Sequence, residues 1–144
     1  MEPASRNLRT LTYISAALFL VSLYMVFFYA PLEVVMGQLQ RVFYYHVSSL
    51  WVGMLAFLVT FIVGIIYLRT GNLKWDRIAV GSAEIGLVFT IMGTAGGAIW
   101  ARPIWNTWWT WDPRLTSFLI LFLFYLGYLA LWPPARKRAG EGTG

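Results

Sequence analysis

The chain has 144 residues, 59% of them hydrophobic and only 12% charged, against roughly a quarter charged in an ordinary soluble domain. A soluble fold of this size cannot hide that much apolar surface. The net charge of +5 sits in short patches beside apolar stretches and not along one polar face, which argues for membrane topology over nucleic-acid binding. With no cysteine, the chain makes no disulfide, thiolate metal site or thiol chemistry of its own.

Arg9 and Glu33 bracket an uncharged stretch, residues 10–32, and about 20 residues at 1.5 Å each cross the hydrocarbon as a helix. The first span is read as about 11–30. Its length, and the bulky Phe28 and Tyr29 where a small-residue cleavage site would sit, predict a retained anchor and not a removed signal peptide. An outer loop, 31–45, leads to the second span, about 46–68, which ends at Arg69.

His46, the only histidine, falls at the outer end of this second span. A lone histidine at a helix end is ordinarily a hydrogen-bonded interface residue. Imidazole is also a common axial ligand of haem iron, and Phe43, Tyr44, Tyr45 and Trp51 would wall a macrocycle from water. Met36 and Met54 are candidates for an opposing ligand by position only.

The third span, about 78–99, carries one charge, Glu84. Acids inside membranes are costly; this one is read as reaching toward Arg77 or Arg69, with a proton relay or entry gate as the alternative. Gly86, Thr90, Gly93 and Gly97, spaced by four, three and four, form one small-residue face that lets helices approach closely. That face is read as packing, with no ligand role.

The second outer loop, 100–114, holds Trp100, Trp105, Trp108, Trp109 and Trp111, five of the eight tryptophans. Indoles favour the headgroup region, so an aromatic belt is one reading. The other is a platform for a flat anionic ligand, with Arg102 or Arg114 pairing its carboxylates. Composition supports both. The fourth span, about 115–132, ends at Pro133 and Pro134, and the polar tail 139–144 is expected to be disordered.

Arg6, Arg9, Arg69, Lys74, Arg77, Arg136, Lys137 and Arg138 fall at one end of these spans, and Arg41, Arg102 and Arg114 at the other. Basic residues concentrate on the cytoplasmic side. The expectation is an all-α, polytopic membrane protein of four transmembrane helices in a single membrane domain, with both termini cytoplasmic and the tryptophan loop outside. No nucleophile and base pair, carboxylate dyad, phosphate loop or zinc spacing appears. Independent catalysis is therefore not expected, and any chemistry belongs to a bound cofactor.

The order Trp-Asn-Thr-Trp-Trp-Thr-Trp-Asp-Pro-Arg-Leu-Thr at 105–116 resembles the WWD signature of the cytochrome c biogenesis haem-handling family. In that family the segment lies on the outer face between spans three and four. The family usually has Gly where this chain has Asn106, which tolerates left-handed backbone better than most residues, and commonly Ala in place of Pro113.

The resemblance implies that Trp105, Trp108, Trp109, Trp111, Asp112 and Arg114 bind haem, that His46 is an axial iron ligand, and that Arg41 pairs with a propionate. It further implies transient haem b, handed to an outer-face haem chaperone beside other cytochrome c maturation subunits, in a bacterial cytoplasmic membrane and in contact with lipid. The family generally has six or more spans and a second outer histidine. That ligand would come from a further segment, a separate polypeptide or a second copy in a homo- or hetero-oligomer.

Two rivals stand beside this. An electron-transfer subunit would keep haem or quinone bound and cycle its redox state, which one histidine in four spans disfavours. An assembly subunit would use the tryptophan loop for a partner protein and show no haem absorption.

Overall fold

A computed structural model describes residues 5–132; the expectations for Pro133, Pro134, the basic cluster at 136–138 and the tail lie outside them. Four helices follow in order: α1 (Arg6–Tyr24, continued by a wide π turn, Met25–Tyr29), α2 (Leu39–Thr70), α3 (Leu73–Trp105) and α4 (Pro113–Leu131). Each is long and apolar enough to cross a membrane. Among the described residues the nearest thing to a strand is one bridge, Glu33 to Gly37. The chain is the all-α, polytopic membrane protein that its composition predicts.

The elements start and stop for local reasons. Ser5 accepts from the Leu8 N–H at 3.4 Å to cap α1. The turn before α2 is closed by the Glu33 carboxylate, which accepts from the N–H groups of Val35 and Met36, and by Gly37 at φ +53°. Gly71, at φ +65°, ends α2, and Asn72 caps α3 by accepting from the Lys74 N–H at 2.9 Å. A left-handed glycine followed at once by a side-chain cap makes a tight helical hairpin.

Helices α2 and α3 overrun their apolar spans. The first begins at Leu39, so His46 lies two turns inside it, and the second continues to Trp105, so residues 100–105 of the outer loop are helical. Hydropathy finds the part of a helix that lies in hydrocarbon; the backbone ladder runs on until a residue takes left-handed geometry. Here that residue is Asn106, at φ +54°.

The core lies between α2 and α3. Ser49, Gly53, Phe57, Thr60 and Val63 of α2 are buried, as are Ala79, Ala83, Gly86, Leu87, Thr90 and Gly93 of α3. A Cβ at Gly86 would overlap the Phe57 ring, and one at Gly53 would stand 3.1 Å from Thr90 Oγ1. The small residues of α3 therefore face α2, as their spacing predicts. Thr60 Oγ1 donates to the Ala56 carbonyl at 3.0 Å and lies 3.4 Å from that of Ala79.

Helix α4 is tied to the α2–α3 pair at two points. Tyr125 donates to the Phe57 carbonyl at 3.0 Å and stacks on the Phe57 ring, 4.0 Å between centroids. At its C-terminal end Trp132 Nε1 donates to Asp76 at 3.2 Å. Neither α1 nor α4 contains a buried residue. Glu84 departs from expectation: it sits on an exposed face of α3 and pairs with neither Arg69 nor Arg77. Arg77 lies seven residues earlier, about 10 Å along the axis at 1.5 Å per residue.

Candidate functional site

One cavity of about 170 Å³ joins the two features that the sequence set apart. It is lined by His46 and Leu50 of α2, by Thr94, Gly97, Ala98, Trp100 and Trp105 of α3, by Trp108 and Trp109 of the loop, and by Asp112, Arg114, Leu115 and Phe118. An apolar cavity of about 360 Å³ between α3 and α4 shares Thr94, Ala98, Trp109 and Phe118 with it.

His46 is half-buried, and its Nδ1 lies 2.7 Å from the Gly93 carbonyl oxygen. A carbonyl only accepts, so Nδ1 carries the proton and the lone pair of the neutral ring resides on Nε2. A ligating histidine ordinarily makes this kind of bond with its second nitrogen.

The tryptophan loop is braced from within. Asn106 takes the left-handed position that ends α3 and accepts from the Arg102 guanidinium, which also lies over the Trp108 ring at 6.0 Å. Thr107 Oγ1 donates to the Trp109 carbonyl at 2.9 Å. Trp100 meets Trp105 edge to face at 5.1 Å, and Trp109 meets Trp111 likewise at 5.9 Å. Phe43 links this set to α2, tilted against Trp100 at 5.5 Å and His46 at 6.3 Å.

Asp112 begins α4. One of its oxygens accepts from the N–H groups of Arg114 and Leu115 at 2.9 and 3.0 Å, and the other accepts from the Thr110 hydroxyl at 2.8 Å. The Leu115 N–H and the Thr110 hydroxyl, with Arg114 beside them, hold its carboxyl below the ordinary value against the opposing effect of partial burial. It lines the cavity, but its acceptor capacity is committed to shaping the loop.

Of the residues singled out by sequence, the cavity brings together His46, Trp105, Trp108, Trp109, Asp112 and Arg114. It does not include Arg41, which lies over the Phe27 ring at 5.5 Å. Five residues along a helix turn about 140°, so Arg41 and His46 face different ways. Trp111 packs on Trp109 and is 75% exposed.

Tyr44, Tyr45 and Trp51 do not line the cavity either, and neither do Met36 or Met54. Most of the wall around His46 comes from α3, the loop and the start of α4, with Leu50 of α2. Trp100, Gly93 and Gly97 were missed as site residues, and the available signal was that the small-residue face of α3 ends on the same side of the membrane as His46.

The indole nitrogens of Trp100 and Trp109 are buried with no hydrogen-bond partner among the described residues. Unmet buried donors are uncommon in proteins, and they are expected where a ligand or water completes the site. With an available imidazole nitrogen, aromatic faces and a guanidinium, the donor set suits a flat, anionic, iron-bearing ring such as haem.

Fold and site together define a polytopic helical membrane protein that gathers one imidazole, several indoles and an arginine at one end of its bundle. The chain matches the Heme exporter protein C family over residues 1–142. It is 42% identical to Heme exporter protein C of Rhodobacter capsulatus over 106 residues, 74% of this chain and 44% of that protein. It is 37% identical to Heme exporter protein C of Escherichia coli K12 over 124 residues, 82% and 49% of the two chains.

A ccmC-like mitochondrial protein of Marchantia polymorpha, named for cytochrome c biosynthesis, is 35% identical over 109 residues, 76% of this chain and 48% of that one. The chain belongs to the Heme exporter protein C family. It spans a little under half the length of these relatives.

Proposed function

We propose that this chain binds haem as cargo at the tryptophan end of its bundle and passes it on during maturation of c-type cytochromes. The observation that carries the reading is His46: its Nδ1 is engaged by Gly93, 2.7 Å away, and its other nitrogen remains for iron beside a wall of indoles. The family and the relatives' names support the same cargo.

In this reading His46 Nε2 is an axial ligand, Trp105, Trp108 and Trp109 offer faces for stacking, and Arg114 pairs with a propionate. Arg114 makes no side-chain hydrogen bond among the described residues, whereas Arg102 is held by Asn106. The cavity is smaller than a porphyrin, so the ring is only partly enclosed. Trp108 is 58% exposed and is available to the part that lies outside. Partial enclosure suits a carrier, because a chaperone offering a competing ligand can then take the haem.

The cargo is haem b, and the site faces away from the cytoplasm, because in the sequence eight of the eleven basic residues flank the opposite ends of the apolar spans. The membrane is the bacterial cytoplasmic membrane. The second axial ligand comes from a further segment, another subunit or a second copy.

The test is the optical spectrum of the purified full chain after expression with a haem supply. Wild type should show a Soret band, which His46→Ala and a Trp108→Ala, Trp109→Ala double variant should lose. No band in wild type sinks the proposal. Haem that cycles redox state reversibly and never passes to an acceptor would favour the electron-transfer reading.

A further inference from the structure

We propose that Gly97 and the Gly93 carbonyl are positioning groups for His46, together forming a slot on α3 that holds the imidazole as its Nδ1–H tautomer and leaves the Nε2 lone pair exposed. The value of this slot to a haem carrier rests on the function proposed above; the tautomer itself does not.

Three observations converge on one helix face. The Gly93 carbonyl lies 2.7 Å from Nδ1, and a helical carbonyl has a second lone pair beyond the one taken by the N–H four residues on. That later residue is Gly97. A Cβ there would stand 2.5 Å from His46 Cε1 and 2.8 Å from Nδ1, distances that no relaxed structure keeps, so the ring occupies the volume that any other side chain would fill.

Gly93 is itself closely packed: a Cβ there would come within 2.5 Å of Leu50 Cδ2 and 3.3 Å of the Leu50 backbone nitrogen, so Leu50 would have to shift. By contrast, a Cβ at the adjacent Gly96 would meet His46 at its Cβ, Cα and backbone nitrogen at 3.5, 3.6 and 3.9 Å, ordinary contact with the backbone end of the residue. Two neighbouring glycines thus touch the same histidine, and only Gly97 touches its ring.

The slot has a chemical consequence. Free neutral imidazole exchanges its proton between the two nitrogens, and only a nitrogen without a proton can bind iron. A fixed acceptor at Nδ1 removes that choice, and steric contact with Gly97 fixes the plane of the ring.

His46 is the only histidine, so ¹⁵N-histidine labelling of the full chain in detergent yields one pair of imidazole signals. With the ring neutral, wild type and Gly96→Ala should both show a protonated Nδ1 and an unprotonated Nε2. Gly97→Ala should shift the pair toward a mixture of tautomers. Titrated with haem, Gly97→Ala should bind about 10- to 100-fold more weakly than wild type, the usual loss when the support of a metal ligand is removed, while Gly96→Ala stays close to wild type.

A wild-type imidazole protonated at Nε2 overturns the proposal with no variant required. So does a Gly97→Ala protein whose tautomer and haem affinity both match wild type. If the tautomers behave as expected and no protein binds haem, the slot stands and the haem reading fails.

Discussion

Helices α2 and α3 hold each other through interlocked small residues, Gly53 against Thr90 and Gly86 against Phe57, whereas α4 buries no residue and is joined to them mainly by Tyr125 and Trp132. The histidine lies on the first, tightly packed pair; most of the indoles lie on the loop that leads into the lightly held helix. Lipid tails are as apolar as leucine, so helices in a bilayer gain little from apolar burial alone and depend on close backbone approach and hydrogen bonds. The contrast is between a histidine set in a close-packed frame and an indole cluster built on a more compliant one.

The largest test of that contrast is a jam in the frame. Gly86→Leu forces a side chain into the Phe57 ring and should cost about 3 kcal/mol or more, read as loss of monodisperse protein in detergent. Gly127→Ala on α4, where nothing lies within 4 Å, should leave the yield unchanged. Equal losses would erase the distinction between the two regions.

A second test concerns the arginines. Arg114→Ala should weaken haem binding by about tenfold, the lower end for a hydrogen bond to a charged group, and Arg41→Ala should leave it unaltered. The reverse pattern would return the propionate contact to α2.

Tyr125→Phe keeps the stack on Phe57 and removes one hydrogen bond, which in membranes averages about 0.6 kcal/mol. Limited proteolysis in the 107–111 loop should quicken slightly, with the thermal stability of the α2–α3 pair unaltered.

The smallest effect is that of acid on the loop. The Asp112 carboxyl is held below its ordinary value, so its capping contribution is complete above the unfolded value and is lost as pH falls through the lower, folded one. Tryptophan emission should therefore shift at acid pH in wild type, and the shift should vanish in Asp112→Asn.

Much of the fold was legible because a bilayer demands long apolar runs, and four of them, one interrupted only by Glu84, stand between charged patches. Helix ends were less so: residues 39–45 and 100–105 are helical but polar or interfacial, and hydropathy does not register them. His46 and the tryptophan loop were legible by residue type. The roles of Gly93, Gly97 and Trp100 depend on which face of α3 meets α2, a fact of packing that residue type alone leaves open. Arg41, given by the resemblance alone, lies outside the cavity lining because five residues of helix turn it away from His46.

The Tyr125 contact also makes α4 a lever. From that tie to Pro113, where the helix begins, is twelve residues, about 18 Å at 1.5 Å each. A tilt of about 10° around the Tyr125 fulcrum moves the loop end by roughly 3 Å over that length, close to the thickness of an aromatic ring, while the bond at Tyr125 stays in place and the shorter Trp132 arm, about 10 Å long, moves by a little under about 2 Å. Spin labels at Ser117 and Ser48 would register such a swing as a broadened distance distribution at the outer end, against a narrow one for labels at Leu129 and Ile65. The width of the gap at the indole end of the bundle can thus be set by the angle of one helix.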